Sequence, residues 1–257
     1  MNEVRPIGLI SAIAEETAML RSRLAADMPE THAGVRFQPG QLDGSSVVLV
    51  ETGIGKVNAT LVATVLAERF EGGAFLFSGV AGALDPNLGI GDVVVAERLI
   101  QHDYGAIVAG RLKLYRPGSM PIGARRAPLA FAPSAAVMQR VKTALANLVL
   151  PEMPPAATGG VARIPQLRYG TVLTGDQFVA CEETRDQLFT EHAALAVDME
   201  GAAIAQVAEA YGRSWIVVRA ISDLAGRESA RDFAAFTEAA AVGAAAVVSR
   251  LLPTLVR

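Results

Sequence analysis

The sequence holds almost nothing from which to build a metal centre or a cross-link. One cysteine, Cys181, occurs in 257 residues, so no disulfide forms within the chain and no thiolate metal cluster is available. The three histidines, His32, His102 and His192, have no metal-ligand spacing between them. Positive charge is not concentrated either. The 23 Lys and Arg are scattered against 26 Asp and Glu, for a formal net charge of −3. That argues against a nucleic-acid partner, whose binding needs clustered cations. No run approaches the roughly 18 consecutive apolar residues of a membrane helix. The N-terminus MNEVRPIGLI opens straight into a strand-like run, with no basic stretch leading to a long apolar one. The expectation is a soluble, cytoplasmic protein that works on small molecules or pairs with a second copy of itself. The sequon Asn58-Ala59-Thr60 carries no meaning without a secretory signal.

What is present is material for a core. Apolar residues make up 51% and charged residues 19% of the chain, a balance that favours a packed domain over disorder. Short runs rich in Val, Ile and Leu alternate with helical patterns. Pro6 to Ser11 reads as a buried strand, followed by a helix over Ala14 to Ala25. Val35 to Leu42 and Ser46 to Glu51 flank Gly44-Ser45 as a hairpin. A helix follows with Val57, Leu61, Val65 and Leu66 on its apolar face, then a strand over Ala74 to Phe77 that ends at Ser78-Gly-Val-Ala-Gly82. Asp92 to Ile100 is strand, and Ser134 caps a helix to about Leu148. Later strands are expected at Tyr169 to Leu173, Leu195 to Met199 and Ser214 to Ile221. Helices are expected at Glu182 to Thr190, Gly201 to Tyr211 and Phe233 to Leu252. Two segments, 101–133 and 151–166, look irregular. The first is long enough for a lid or interface role, and the second reads as surface-exposed. Nothing separates regions of distinct composition, so residues 1–257 are read as a single domain. The fold class is α/β: a three-layer α/β/α sandwich with a mixed, largely parallel central sheet.

In such sheets ligands bind beyond the carboxyl ends of the strands. Glu15 and Glu16, the turn Thr52-Gly-Ile-Gly55, Gly79-Val-Ala-Gly82, Asp198-Met-Glu200 and Arg219-Ala-Ile-Ser-Asp223 all fall there. Each has a plain alternative. Glu15, Glu16 and Glu200 suit the first turn of a helix, and Asp223 suits an N-cap. The Gly53-Ile-Gly55 turn lacks the third glycine of a dinucleotide fingerprint, because Asn58 stands there. It also lacks the spacing of a phosphate loop.

Taken together, these segments resemble the purine nucleoside phosphorylase and nucleosidase superfamily, and most closely its bacterial methylthioadenosine/S-adenosylhomocysteine nucleosidase branch. The resemblance rests on Ile7-Gly-Leu-Ile-Ser-Ala-Ile-Ala-Glu-Glu16, Thr52-Gly-Ile-Gly-Lys-Val57, Gly79-Val-Ala-Gly82 with Gly91-Asp-Val93, Thr174-Gly-Asp-Gln-Phe178, Val197-Asp-Met-Glu200 and Val218-Arg-Ala-Ile-Ser-Asp223. It implies hydrolysis of the N-glycosidic bond of an adenine nucleoside, with no cofactor and no metal. Asp223 is implied as the acid to the leaving base, oriented by Ser222. Glu200 is implied to grip the ribose hydroxyls, and Glu16 to activate water, with Arg219 beside it. Phe178 and the Val179 backbone are implied to hold the base, Met199 to lie under the ribose, and Ile54 and Phe233 to line the 5′ side. Core packing would equally account for Phe178, Met199, Ile54 and Phe233. A homodimer is implied, the 101–133 segment reaching the partner's site.

Three positions depart from the branch. Val80 stands where a serine helps hold water or phosphate. Asp198 replaces a glutamate, and 101–133 follows the pattern poorly. Two rivals stay open: a phosphorolytic enzyme of the same superfamily, and a nucleoside-binding sensor without turnover. A nicotinamide-dependent dehydrogenase is disfavoured by the turn chemistry.

Overall fold

The computed structural model describes residues 5–119, 128–158, 160 and 162–255. Residues 120–127 of the first irregular segment, and Gly159 and Val161 of the second, lie outside the described residues. The chain begins β1 (Ile7–Ser11), α1 (Ala14–Arg23), β2 (Ala25–Ala26), β3 (Glu30–His32), β4 (Val35–Leu42) and β5 (Ser45–Glu51). It continues α2 (Lys56–Arg69), β6 (Ala74–Ala83), β7 (Val93–Gln101), β8 (Gly105–Val108), β9 (Arg111–Leu114) and α3 (Ala135–Leu145). A short 3₁₀ turn, Pro155–Ala157, precedes β10 (Leu167–Thr174), α4 (Glu182–His192), β11 (Ala196–Asp198), α5 (Gly201–Ala210), β12 (Ser214–Asp223) and α6 (Ser229–Leu255).

One mixed ten-stranded sheet runs β11-β10-β7-β12-β6-β1-β5-β4-β2, with β3 on the outer side of β4. Pairings are parallel at β5–β1–β6–β12 and β7–β10–β11, and antiparallel at β12–β7 and β5–β4. β11 also pairs antiparallel with β6 through Ala196–Ala83 and Val197–Gly82, so one end of the sheet closes on itself. Helices α2 and α5 cover one face and build a core with Phe37, Phe75, Phe77 and Trp215. Helices α1, α3 and α6 cover the other, over Leu9, Leu76, Val95 and Val218. The mixed, largely parallel α/β arrangement agrees with the reading of the sequence.

Several boundaries differ for physical reasons. β6 does not end at Phe77 but runs on through the glycine-rich stretch to Ala83. β12 pairs along that whole length and β11 joins its far end, so the ladder carries residues that sheet propensity would not. The 101–133 segment contains a small separate hairpin, β8–β9, turning at Ala109-Gly110. The 151–166 segment is not simply surface. Met153 is buried, and Arg163 makes a two-pronged ion pair with the buried Asp92 at 2.6 and 2.7 Å. Helix α6 starts at Ser229 and, by length and composition, is apolar enough to cross a membrane. Its uninterrupted apolar run is only 239–248, bounded by Thr237-Glu238 and Ser249-Arg250. Here α6 is a core helix, its apolar side packed against the sheet and α1.

Candidate active site

The carboxyl ends of β1, β6, β11 and β12 open on one cavity of about 400 Å³. Each strand delivers its side chain by a specific local device. Ile13 is the N-cap of α1, and Glu16 at the third helical position reaches back so that Oε2 accepts from the N–H groups of Ala12 (2.6 Å) and Ile13 (3.2 Å). This is the backbone half of a capping box. Glu16 Oε1 accepts from the Val80 N–H at 2.8 Å, tying α1 to β6. Glu15, its neighbour, points to solvent as an ordinary first-turn carboxylate.

Arg219 enters from β12 and is wholly buried. Its Nε donates to Asp198 Oδ2 at 2.7 Å, its Nη2 lies 3.4 Å from Glu200 Oε2, and its guanidinium stacks 3.7 Å from the Phe77 ring centroid. Gly79 makes this possible. A Cβ there would come within 2.3 Å of both Arg219 Nη1 and Glu16 Oε1. Burial opposes the charge on Arg219, but Asp198, Glu200 and Glu16 together hold it firmly protonated.

Glu200 precedes α5 and accepts at Oε1 from the Gly55 N–H at 2.8 Å, across 145 positions of sequence. Burial raises its pKa to about 7. Asp198 and Glu16 push in the same direction, while Arg219 and the Gly55 amide oppose them. Burial likewise raises Glu16 above the ordinary carboxylate range, against Arg219 and its three backbone donors.

Asp223 owes its aim to a bulge. The β12–β6 register slips between Ile221 and Asp223, so Ser222 and Asp223 both face the cavity where strict alternation would hide one of them. Asp223 Oδ1 accepts from the Ala225 N–H (2.9 Å), and Oδ2 accepts from the Ser222 hydroxyl (3.0 Å). Burial pushes its carboxyl up despite these donors.

Most residues expected from the sequence meet here. Glu16, Ile54, Val80, Phe178, Met199, Glu200, Ser222, Asp223 and Phe233 all line the cavity. Val179 lines a smaller recess that adjoins it, walled also by Phe178, Gly82 and Asp223. Phe178 and Phe233 meet edge to face, ring centroids 6.0 Å apart. Arg219 is the exception: it stands behind the wall and touches the carboxylates, not the space. The Val80 side chain lines the cavity while its backbone N–H holds Glu16, so the missing hydroxyl leaves Glu16 fully bonded.

Other contributors escaped the sequence reading. Asp198 falls at a strand end in the sequence but carries no assigned task there, yet it is the principal partner of Arg219. It also accepts from the Thr174 hydroxyl at 2.6 Å, and Thr174 Oγ1 accepts in turn from the Ala202 N–H at 2.9 Å. Only the β10–β11 register, which sets Thr174 opposite Asp198, reveals that link. The amides of Ala12, Ile13 and Gly55 have no side-chain signature at all. Among the cavity's described lining residues are four acids (Glu16, Asp198, Glu200 and Asp223) and no Lys or Arg. Among the described residues no cluster of His, Cys, Asp and Glu has the grouping of a metal site.

Residues 6–253 match the Phosphorylase superfamily. The chain is 45% identical to a 5′-methylthioadenosine/S-adenosylhomocysteine nucleosidase of Mycobacterium bovis, covering 97% of each. Its structure is similar to that of the corresponding nucleosidase of Colwellia psychrerythraea in complex with adenine, with a TM-score of 0.81, 33% identity and 99% and 97% coverage. It is also similar to the S. pneumoniae nucleosidase bound to a transition-state inhibitor, with a TM-score of 0.79, 32% identity and 96% and 98% coverage. The chain belongs to the Phosphorylase superfamily and, within it, to the 5′-methylthioadenosine/S-adenosylhomocysteine nucleosidases.

Proposed function

We propose that this protein hydrolyses the N-glycosidic bond of an adenine nucleoside carrying an apolar 5′ substituent, as in 5′-methylthioadenosine or S-adenosylhomocysteine. The observation that carries this reading is the convergence of Glu16, Glu200 and Asp223 on one cavity from three separate strand ends. Heterolysis of the bond leaves electron deficiency on the sugar and negative charge on the purine. Asp223, whose carboxyl burial pushes above its ordinary range, delivers a proton to a ring nitrogen of the departing base. Glu200 receives hydrogen bonds from the ribose hydroxyls, which strengthen as oxocarbenium character develops. Glu16 takes a proton from water as its oxygen adds to the anomeric carbon. Adenine and the free sugar are released, and no cofactor enters.

Phe178 and the Val179 segment hold the base at the recess. Met199 lies under the ribose, with Ile54 and Phe233 along the 5′ side. Arg219 acts from behind, neutralising Asp198 and steering Glu200. Water is favoured over phosphate as nucleophile because the lining offers a multiply charged anion four acids and no cation. The binding-only alternative is disfavoured for a different reason: binding a neutral purine gives no cause to retain a buried acid with a raised pKa.

We read the chain as one domain acting in a homodimer. Val57 and Leu61 on α2, Tyr104, and Ile107 on the β8–β9 hairpin are exposed apolar groups of the kind a subunit interface covers. Adenine release measured with and without phosphate tests the reaction. Strict phosphate dependence would overturn hydrolysis. Tight binding without release, in the parent and in Asp223→Asn alike, would overturn catalysis.

A further inference from the structure

Lys56 opens α2 just outside the cavity, and the chemistry above makes no use of it. Its Nζ donates to Asp103 Oδ1 at 2.5 Å and lies 3.5 Å from Asp176 Oδ2. The same two carboxylates also bind backbone. Asp176 Oδ1 accepts from the Lys56 N–H at 2.8 Å, and Asp103 Oδ2 accepts from the Asp176 N–H at 2.8 Å. Three segments remote in sequence are joined: the turn after β5, the end of β7 and the loop after β10.

None of these three residues lines the cavity, yet each adjoins one that serves it. Gly55, whose N–H bonds Glu200, is the residue before Lys56. Phe178 and Val179 follow Asp176 by two and three positions. The turn's backbone packs directly on the clamp: Gly55 has φ +102°, and a Cβ there would lie 3.3 Å from Asp176 Oδ1. This is no loose surface pair, since the side chains of Lys56 and Asp103 are each only 17% exposed. Burial alone would raise the Asp103 carboxyl, but Lys56 and the Asp176 amide outweigh it and hold it below the ordinary range.

We infer that Lys56 is a positioning residue: by clamping Asp103 and Asp176 it fixes the Gly55 amide, which serves the sugar carboxylate, relative to the Phe178–Val179 segment that holds the base. This inference rests on the proposed nucleosidase reading. The physical need is clear. The bond that breaks joins sugar to base, so its strain depends on where the two are held. A displacement on the order of 1 Å at such a site costs about 100-fold in rate.

The test compares Lys56→Met, Lys56→Arg and the double variant Lys56→Met/Asp103→Asn, which removes the carboxylate that the single change strands. Adenine release is followed across pH, adenine binding is measured by calorimetry, and folded fraction is checked by urea titration. Lys56→Met is expected to lower kcat about 10- to 100-fold, with a smaller change in KM, and to weaken adenine binding. It should also move the acid limb of kcat/KM to higher pH. Glu200 then loses the Gly55 amide that helps keep it ionised, while Arg219 still lowers it and Asp198 and Glu16 still raise it. Lys56→Arg should recover most of kcat. The double variant should recover folding but not kcat. The inference is overturned if Lys56→Met leaves kcat, the acid limb and adenine binding within twofold, or if the double variant regains full activity. If Lys56→Met does not fold, the double variant carries the comparison. If the parent releases no adenine, the nucleosidase reading falls, and the clamp is judged by adenine binding alone.

Discussion

Arg219 Nε lies 2.7 Å from Asp198 Oδ2, while its Nη2 stands 3.4 Å from Glu200 Oε2. This buried guanidinium therefore gives its close bond to the carboxylate further from the proposed chemistry and a longer one to the sugar carboxylate. Burial raises Glu200 to about 7, and the longer bond from Arg219 opposes that rise without cancelling it. Replacing Arg219 with Met strands Asp198, Glu200 and Glu16 in a buried site. The expected cost is about 3–5 kcal/mol of stability, as for one lost partner of a buried ion pair, together with loss of turnover. Urea denaturation and adenine release measure the two effects.

Asp223→Asn should separate chemistry from folding. The amide oxygen still accepts from the Ala225 N–H, so the melting temperature should change little or rise slightly as a buried ionisable group disappears. Loss of the acid should lower kcat by about 100- to 10,000-fold, with adenine binding retained. A fall of less than tenfold would remove Asp223 from the acid role.

Activity and stability should run in opposite directions with pH. Glu200 is raised from 4.5 to about 7 in the folded protein, so the folded state binds its proton more tightly than the unfolded chain does. The stability this group contributes is fully present below about pH 4.5 and is lost as pH rises through about 7. Turnover needs Glu200 ionised and should climb over the same interval. Urea midpoints at several pH values are expected to show a downward slope in the parent that is flattened in Glu200→Gln.

Two neighbours in β6 should respond very differently to small changes. Gly79→Ala places a methyl 2.3 Å from Arg219 Nη1 and Glu16 Oε1. Its kcat/KM should fall at least about 100-fold, the scale of a misplaced catalytic group. Val80→Ser leaves the N–H on Glu16 in place and should stay within about tenfold of the parent, since a positioned hydrogen bond contributes about 1 kcal/mol. Steady-state kinetics of both variants decide the matter.

The dimer reading is checked by charge. Val57 is 81% exposed on α2, and Val57→Glu should yield monomers by light scattering if that face joins two copies. Unchanged mass would place the interface elsewhere.

Much of this was legible from the residues. Glu16, Glu200 and Asp223 were identifiable because each stands at the junction of a buried run and a turn, and the resemblance supplied their tasks. The α/β alternation gave most elements within a few residues. What stayed hidden was set by pairing across the chain. The extension of β6 through Gly79 and Gly82 depends on β12 and β11, not on local propensity. The bulge that turns Asp223 inward appears only in the β12–β6 register. Asp198 looked like a shortened glutamate until Arg219 and Thr174 were seen bonded to it. The Lys56 clamp could not be read at all, because its members lie 47 and 73 positions apart.

Because β11 bonds to both β10 and β6, the strands β11-β10-β7-β12-β6 form an unbroken hoop. Asp198 and Asp223 hang from members of that hoop, so its hydrogen bonds fix their separation. The floor of the site is thus set by strand pairing. At the rim, Ile54 and Phe178 stand half in solvent, on segments held to each other by the Lys56 clamp and not by the pairing of the hoop.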